Sequence, residues 1–248
     1  KGDIVMNKIK KLAQEYRVLL SNVPSWVLTM FVLSIVSMNL FANKSIDLPW
    51  SWLALDCGIV FSWASFLSMD LIVKQFGARA SILISLFSTF ISLIISVLFF
   101  IAGSIPGVWG EAYNFASGTD IVSALDNTVK GNWYIVFGST VAFIVASISN
   151  AISNEFVGKL CRKDNYTAFV LRTYVSTTIG QFIDNFVFSL IVSQVLFGWT
   201  LTQCVFCAIT GALVELLFEA LFTPVGWRIC NKWKEQGVGN NYLDYKNS

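Results

Sequence analysis

Six long apolar runs alternate with shorter polar segments along the chain, and this pattern predicts a polytopic helical membrane protein. The runs cover Trp26–Phe41, Trp50–Val73, Ala80–Ala102, Trp133–Ser153, Ala168–Phe197 and Leu201–Arg228. A helix needs about 20 apolar residues to cross the hydrocarbon core of a bilayer. The runs lack the alternation of barrel strands, and lipid requires internal pairing of all backbone polar groups, so we predict six transmembrane α-helices in an all-α fold, in one domain over residues 1–248.

The segment before the first run has a different pattern, in which apolar and basic positions interleave at helical spacing. The apolar positions are Val5, Ile9, Leu12, Tyr16 and Leu20, and the basic ones are Lys8, Lys10, Lys11 and Arg17. Residues 1–22 are therefore predicted to form a basic amphipathic helix on the membrane surface. A short soluble helix that leads into the first span explains the pattern equally well.

The distribution of basic residues predicts the orientation in the membrane. Of 17 Lys and Arg residues, only Lys44 and Lys130 fall on the side opposite to the two termini. Basic residues are enriched in cytoplasmic loops, so both termini are predicted to be cytoplasmic, and six spans require the same parity. We expect the longest connection, Gly103–Asn132, to be an outer loop, with either a short surface helix over Ala112–Leu125 or a plain solvated loop.

Composition narrows the class of function. The chain has 248 residues, of which 55% are hydrophobic and 13% charged, so it is neither a soluble domain nor a disordered one. It has no histidine, which removes Ser-His-Asp hydrolysis and His-ligated metals. We predict no catalytic residues, no metal and no cofactor, and the net charge of +2 gives no support for a nucleic-acid partner. Cys204 and Cys207 lie in an apolar run and are interpreted as small lipid- or helix-facing residues.

Acidic residues inside the apolar runs are the strongest candidates for a binding site. Asp56 and Asp70 are predicted on span two, Asp184 near the middle of span five, and Glu215 with Glu219 on one face of span six. We expect Asp184, Glu215 and Glu219 to meet near the midplane. Buried carboxylates there need protons, a cation or N–H donors as partners.

The chemistry of these acids suggests a ligand with N–H groups. A carboxylate accepts two parallel N–H bonds, and a guanine-type base offers such a pair from its N1–H and 2-amino group. The alternative is structural, with the acids bonded to Arg172 or to hydroxyl groups so that they only tie helices together. Asp70, four residues before Lys74, fits either a helix-end salt bridge or a gating role, and Asp56 is interpreted as interfacial.

A stripe of serines follows one face of the third run. Its members are Ser81, Ser85, Ser88, Ser92 and Ser96. Small residues at this spacing favour close helix packing over a substrate path.

Three stretches resemble the queuosine precursor transporter family, also called the vitamin uptake transporter-like family. They are FSWASFLSMDLIVKQFG over Phe61–Gly77, RTYVSTTIGQFIDNFVF over Arg172–Phe188, and EALFTP over Glu219–Pro224. The similarity covers spans two to six, and its most specific part is the Arg-x-x-x-Ser-Thr-x-x-Gly-Gln-x-x-Asp pattern. The positions that match the family by motif are Asp70, Lys74, Arg172, Ser176, Gln181, Asp184, Asn185 and Glu219.

The resemblance implies a multi-pass importer in the bacterial inner membrane for 7-deazaguanine queuosine precursors. Its layout is expected to be similar to the substrate-binding subunits of energy-coupling factor transporters. The expected substrate-binding residues are Asp184, Glu219, Gln181, Asn185, Glu215, Arg172, Ser176, Phe188 and Asp70, with Phe182, Phe186 or a Trp facing the flat base. The family often has Lys nine residues before the last Pro, where this chain has Glu215, and this change suggests a more cationic substrate.

Several functional interpretations are open at this stage. The leading one is a secondary carrier with alternating access and proton coupling through the carboxylates. A second is a binding subunit that needs a separate ATPase module, because the chain carries no Walker A motif, and that imports another vitamin or nucleobase. A structural subunit and a homodimer are further alternatives, and a membrane enzyme has no nucleophile–base pair to support it.

Overall fold

The chain is a helical bundle with one small hairpin. The computed structural model describes residues 2–110, 118–160 and 166–247; it does not extend to the side chains of residues 2–4, 70, 118–119, 150–151, 154–155, 158–160, 166–174, 176, 219, 223 and 247. The elements in chain order are α1 (Gly2–Asn22), α2 (Ser25–Phe41), β1 (Ser45–Ile46), β2 (Leu55–Asp56), α3 (Ile59–Phe76), α4 (Ala78–Ala102), α5 (Gly118–Leu160), α6 (Tyr166–Phe188), a π-helical turn (Ser189–Ser193), α7 (Gln194–Phe197), α8 (Leu201–Glu235) and α9 (Asn240–Asn247).

The prediction of an all-α polytopic membrane protein is confirmed in its main features. Within the described residues, five helical segments are long and apolar enough to cross a membrane. They lie in α3, α4, α5, the α6–α7 segment and α8. A sixth is added if α1 and α2, which are bent by 109° relative to each other, are counted as one span. The fold thus has five to six candidate spans.

The predicted second span is wrong at its start. Helix α3 begins at Ile59 rather than at Trp50, and the residues before it form a hairpin in which Ser45 pairs with Asp56. The apolar residues of this segment pack as a loop against α8, where Trp52 makes an edge contact with Phe206 at 4.7 Å between ring centroids. The placement of Asp56 on the same helix as Asp70 is therefore also wrong.

The connection predicted over Gly103–Asn132 is shorter than expected. Helix α5 begins at Gly118 and contains 43 residues, which extend over about 65 Å, roughly twice the thickness of the hydrocarbon core. The predicted surface helix over Ala112–Leu125 falls partly on residues 111–117, outside the described residues. Its second half belongs to α5 and is not a separate helix.

Helix α1 crosses the end of the bundle and is anchored there at its C-terminal half. Arg79 of α4 donates two hydrogen bonds to Glu15, at 2.6 Å to Oε1 and 2.7 Å to Oε2. The hydroxyl of Tyr16 donates to the carbonyl of Leu83 at 3.0 Å. The apolar side chains of Val5 and Ile9, in the other half, are exposed. This arrangement is compatible with the predicted helix at the membrane surface, which remains a prediction.

The serine stripe lies inside the bundle, as the packing interpretation expects. All five serines are buried, and Ser96 accepts a hydrogen bond from Asn132 of α5 at 3.1 Å. The same Asn132 accepts a bond from Asn43 at 3.3 Å, so α4, α5 and the segment after α2 are joined at the hairpin end. Among the five serines only Ser85 lines the central cavity.

The run predicted over Ala168–Phe197 is helical, but its helical register changes. Residues Ser189–Ser193 form a π turn between α6 and α7. The hydroxyl of Tyr134 on α5 donates to the carbonyl of Ile191 in this turn at 2.7 Å. Gly198, with a left-handed backbone at φ 66°, then ends α7 and lets the chain reverse into α8.

Candidate functional site

A cavity of about 290 Å³ lies between the helices of the bundle. Helices α2, α3, α5, α6 and α8 contribute most of its walls, α4 contributes Ser85 and Thr89, and the hairpin contributes Leu55 and Asp56. This volume is near the lower limit of known ligand pockets, which suits a small solute. The walls are mainly apolar, with a small number of polar groups, as is usual for pockets that orient a ligand.

Three acidic side chains face this cavity from three different elements. They are Asp56 of β2, Asp184 of α6 and Glu215 of α8. The described lining residues include no Lys or Arg. Asp184 and Glu215, two of the three acids predicted to meet, line the same cavity and are close enough for their charges to interact, and the side chain of the third, Glu219, lies outside the described residues. The cavity is therefore electrostatically negative when these groups are ionised.

Asn185 holds Glu215 in position. Its Nδ2 donates to Oε1 of Glu215 at 3.1 Å and to the carbonyl of Gln181, one turn earlier on α6, at 2.9 Å. Gly211 of α8 allows this approach, because a Cβ atom there would lie only 2.7 Å from Cγ of Asn185. The glycine thus matters for the space that it leaves between α6 and α8.

Two carboxylate oxygens in the cavity lack a hydrogen-bond donor. Oδ1 of Asp184 and Oε2 of Glu215 are buried, and neither has a partner among the described residues. A buried acceptor without a donor costs about 1–3 kcal/mol, and a charged one more. No hydroxyl group among the described residues bonds to these two oxygens, and the side chain of Arg172, the other partner in the structural interpretation, lies outside the described residues. A bound proton or a ligand with N–H groups would satisfy the two oxygens.

Asp56 is the acid whose position the sequence did not reveal. The backbone N–H of Gly58 donates to its Oδ1 at 2.8 Å, and burial raises the pKa of Asp56 to about 6. A Cβ atom on Gly58 would lie 2.8 Å from this same oxygen and 2.9 Å from the carbonyl of Met38, so only glycine leaves room for the turn. The interfacial interpretation of Asp56 missed its exposure to the cavity, because the apolar residues before it resembled the start of a span.

The remaining predicted residues divide into two groups. Gln181, Asn185 and Phe188 line the cavity together with Asp184 and Glu215. The side chains of Asp70, Arg172, Ser176 and Glu219 lie outside the described residues.

The aromatic residues that face the cavity agree only in part with those expected from the sequence, which include Phe188. Phe182 and Phe186 stack on each other, with ring centroids 5.8 Å apart, and neither lines the cavity. The aromatic lining residues are Phe31, Phe66, Phe143 and Phe188. They belong to α2, α3, α5 and α6, and in a chain with 21 Phe no sequence signal distinguishes them from packing residues.

Hydroxyl groups on α3 and α5 complete the polar lining and were not singled out by the sequence analysis. Ser62 and Ser65 lie on α3, and Ser139 and Thr140 on α5. The hydroxyls of Ser62 and Thr140 are already bonded to carbonyls of their own helices. Ser and Thr occur in every span, so their presence alone could not identify a site. No group of three or more His, Cys, Asp or Glu side chains in the described part of the chain has the geometry to hold a metal.

These observations define a polytopic membrane protein with an internal, acid-lined cavity of small-molecule size. The family described as "Putative vitamin uptake transporter" matches residues 56–229, and the chain belongs to this family. The matched region begins at Asp56 and includes α3 to the greater part of α8, with Asp184 and Glu215. The resemblance to the vitamin uptake transporter family is thereby confirmed. Neither a curated protein nor a solved structure matches the chain.

Proposed function

We propose that this protein imports 7-deazaguanine queuosine precursors across the bacterial inner membrane, with both termini in the cytoplasm. Membership of a transporter family supports transport rather than catalysis. The basic residues, concentrated on the side of the termini, support the orientation. The cavity supports a small solute as the substrate.

One observation carries the choice of a base as the substrate: two buried carboxylate oxygens face the cavity and have no donor among the described residues. These are Oδ1 of Asp184 and Oε2 of Glu215. A deazaguanine presents N1–H and a 2-amino group on one edge, and these two donors match a carboxylate acceptor. Gln181 offers amide groups to the remaining polar atoms of the base, and Phe188 an apolar surface to its ring.

The same acids suggest how transport is driven. Two ionised carboxylates close together in a low-dielectric bundle repel each other, so the empty site is more stable with a proton bound. With a proton on one carboxylate, the other carboxylate accepts the N–H groups of the substrate, so proton and substrate are bound together. Alternating access around the cavity would then carry both inwards and couple uptake of the base to a proton gradient.

The test is uptake of a radiolabelled deazaguanine by the purified protein in proteoliposomes. Asp184→Asn removes the charge but keeps the shape of the side chain, and we expect it to abolish uptake without a loss of thermal stability. Asp244→Asn, at an exposed position of α9, is the matched control and should transport normally. Normal uptake by Asp184→Asn would remove this residue from the site.

Two other outcomes address the remaining alternatives. Binding of the base without uptake by the isolated protein, restored by an ATPase that copurifies with it, would establish an ATP-driven binding subunit. Thermal stabilisation by a vitamin such as riboflavin or biotin, and by no deazaguanine, would overturn the assignment of the substrate.

A further inference from the structure

The third acid of the cavity, Asp56, lies at a different level from the other two. Ala54 and Leu55, which directly precede Asp56, pack in one cluster with Cys204 and Cys207 of α8, and Cys207 precedes Glu215 by eight residues on that helix. Eight residues correspond to about 12 Å along a helix axis. The cavity therefore has acids at two levels, with Asp56 at the hairpin end and the pair Asp184 and Glu215 further inside.

Each level has acceptor capacity that no described residue uses. The inner pair has two buried oxygens with no donor in the described part of the chain. At the outer level, the single bond from Gly58 occupies Oδ1 of Asp56, and the described lining residues supply no Lys or Arg for the other oxygen. A ligand that satisfies both levels needs N–H donors at both of its ends.

We infer that the preferred substrate is a cationic base, whose ring edge is bound by Asp184 and Glu215 and whose ammonium group is bound by Asp56. The inference rests on the proposed function and narrows it to one chemical class. An aminomethyl group on the five-membered ring of a deazaguanine lies opposite the N1–H edge and carries a positive charge at neutral pH. It would make a charge-assisted hydrogen bond to Asp56.

The same geometry disfavours a nitrile at that position. A nitrile nitrogen is an acceptor without a proton, so it offers nothing to a carboxylate and approaches it with like partial charge. The aminomethyl and nitrile bases have the same ring and the same N–H edge, which makes them a matched pair of probes. Asp56 is thus a specificity-determining residue.

The experiment measures the affinity of the purified full-length protein for 7-aminomethyl-7-deazaguanine and 7-cyano-7-deazaguanine by calorimetry. We expect the aminomethyl base to bind about ten-fold or more tightly, as one hydrogen bond to a charged group predicts. In Asp56→Asn this preference should fall to about two-fold or less while affinity for the nitrile base is kept. Asp47→Asn is the matched control, because Asp47 lies in the same hairpin segment and is exposed.

The outcomes separate this inference from the proposed function. Equal affinity of the wild-type protein for the two bases overturns the inference and leaves the deazaguanine assignment intact. Binding of neither base overturns the proposed function itself. A preference for the aminomethyl base that survives in Asp56→Asn removes Asp56 as its cause. The comparison of the two bases on the wild-type protein decides the substrate class even if the variant does not fold.

Discussion

Asn185 donates a hydrogen bond from its Nδ2 to Oε1 of Glu215 at 3.1 Å, and this bond joins α6 to α8 beside the cavity. It leaves Oε2 of Glu215 directed to a ligand or a proton rather than to the protein. The geometry of the acid pair therefore depends on an uncharged neighbour.

Replacement of Asn185 by alanine should weaken substrate binding. Oε1 of Glu215 would lose its donor, and the carboxylate would no longer be held in one orientation. We expect affinity for a deazaguanine to fall about ten-fold, which corresponds to one hydrogen bond to a charged group. Calorimetry checks this, with the exposed Asn127→Ala as the control, and an unchanged affinity would show that Asn185 does not position Glu215.

Gly211→Ala should also weaken substrate binding, although it removes no polar group. The new Cβ would lie 2.7 Å from Cγ of Asn185, so the amide or the helix must move. Gly131→Ala in α5 is the matched control, since nothing lies within 4 Å of a Cβ there. The control should keep full binding and gain about 0.5–1 kcal/mol of stability, as Gly→Ala in a helix normally does. If the two variants bind alike, the close approach of α6 and α8 is not required.

The ionisation of Asp56 should make the stability of the protein depend on pH. Burial raises the pKa of Asp56 to about 6 in the folded state, from its usual value of 3.8. The folded protein therefore binds a proton at Asp56 more tightly than the unfolded chain does. Protonation of Asp56 stabilises the fold fully below about pH 4, and this stabilisation is lost as the pH rises through 6. Among the described residues, Cys207 of α8 is the titratable group that interacts with Asp56.

Asp56→Asn should remove this dependence. In thermal unfolding without ligand, the variant should have a higher Tm than the wild-type protein at pH 7 and a flatter profile between pH 4 and 7. Asp47→Asn should follow the wild-type profile. Between pH 5 and 7 the Tm of the wild-type protein should fall more than that of Asp56→Asn. An equal fall in the two proteins would contradict the burial of this carboxyl group.

The stability that the pair Glu15 and Arg79 contributes should depend on pH in the opposite sense. The hydrogen bonds and charge of the Arg79 guanidinium lower the pKa of Glu15. This pair therefore contributes stability above the usual pKa of a glutamate, about 4.5, and loses it as the pH falls further. Arg79→Gln should lower Tm by a few degrees at pH 7 and have little effect near pH 3. Lys10→Gln, an exposed change on α1, should be neutral at both pH values.

The inner part of the site could be predicted from the sequence because ionisable groups inside apolar helices are costly. Asp184 and Glu215 lie on long runs with few other charges, so each was expected to face the interior, and both line the cavity. Helical spacing also places Gln181 next to Asp184, three residues later, and next to Asn185, four residues later, on α6.

The hairpin could not be predicted because its residues are as apolar as a span. The sequence from Trp50 to Leu55 fits a helix by hydrophobicity alone, and only tertiary contacts, such as the bond from Gln203 Nε2 to the carbonyl of Ser51 at 3.1 Å, favour a loop. A two-residue strand pair has no periodicity to detect. Asp56 was therefore assigned to the wrong element, and its proximity to the cavity was missed.

Because of the π turn at Ser189–Ser193, α6 and α7 cannot be drawn on one helical wheel. One residue beyond the normal turn rotates everything after it by about 100° relative to an uninterrupted α-helix. A wheel begun at Thr177 therefore assigns Val195 and Leu196 to the wrong sides. Deletion of one residue from this turn would restore a continuous α-helix and would rotate Val195 and Leu196 back by the same angle.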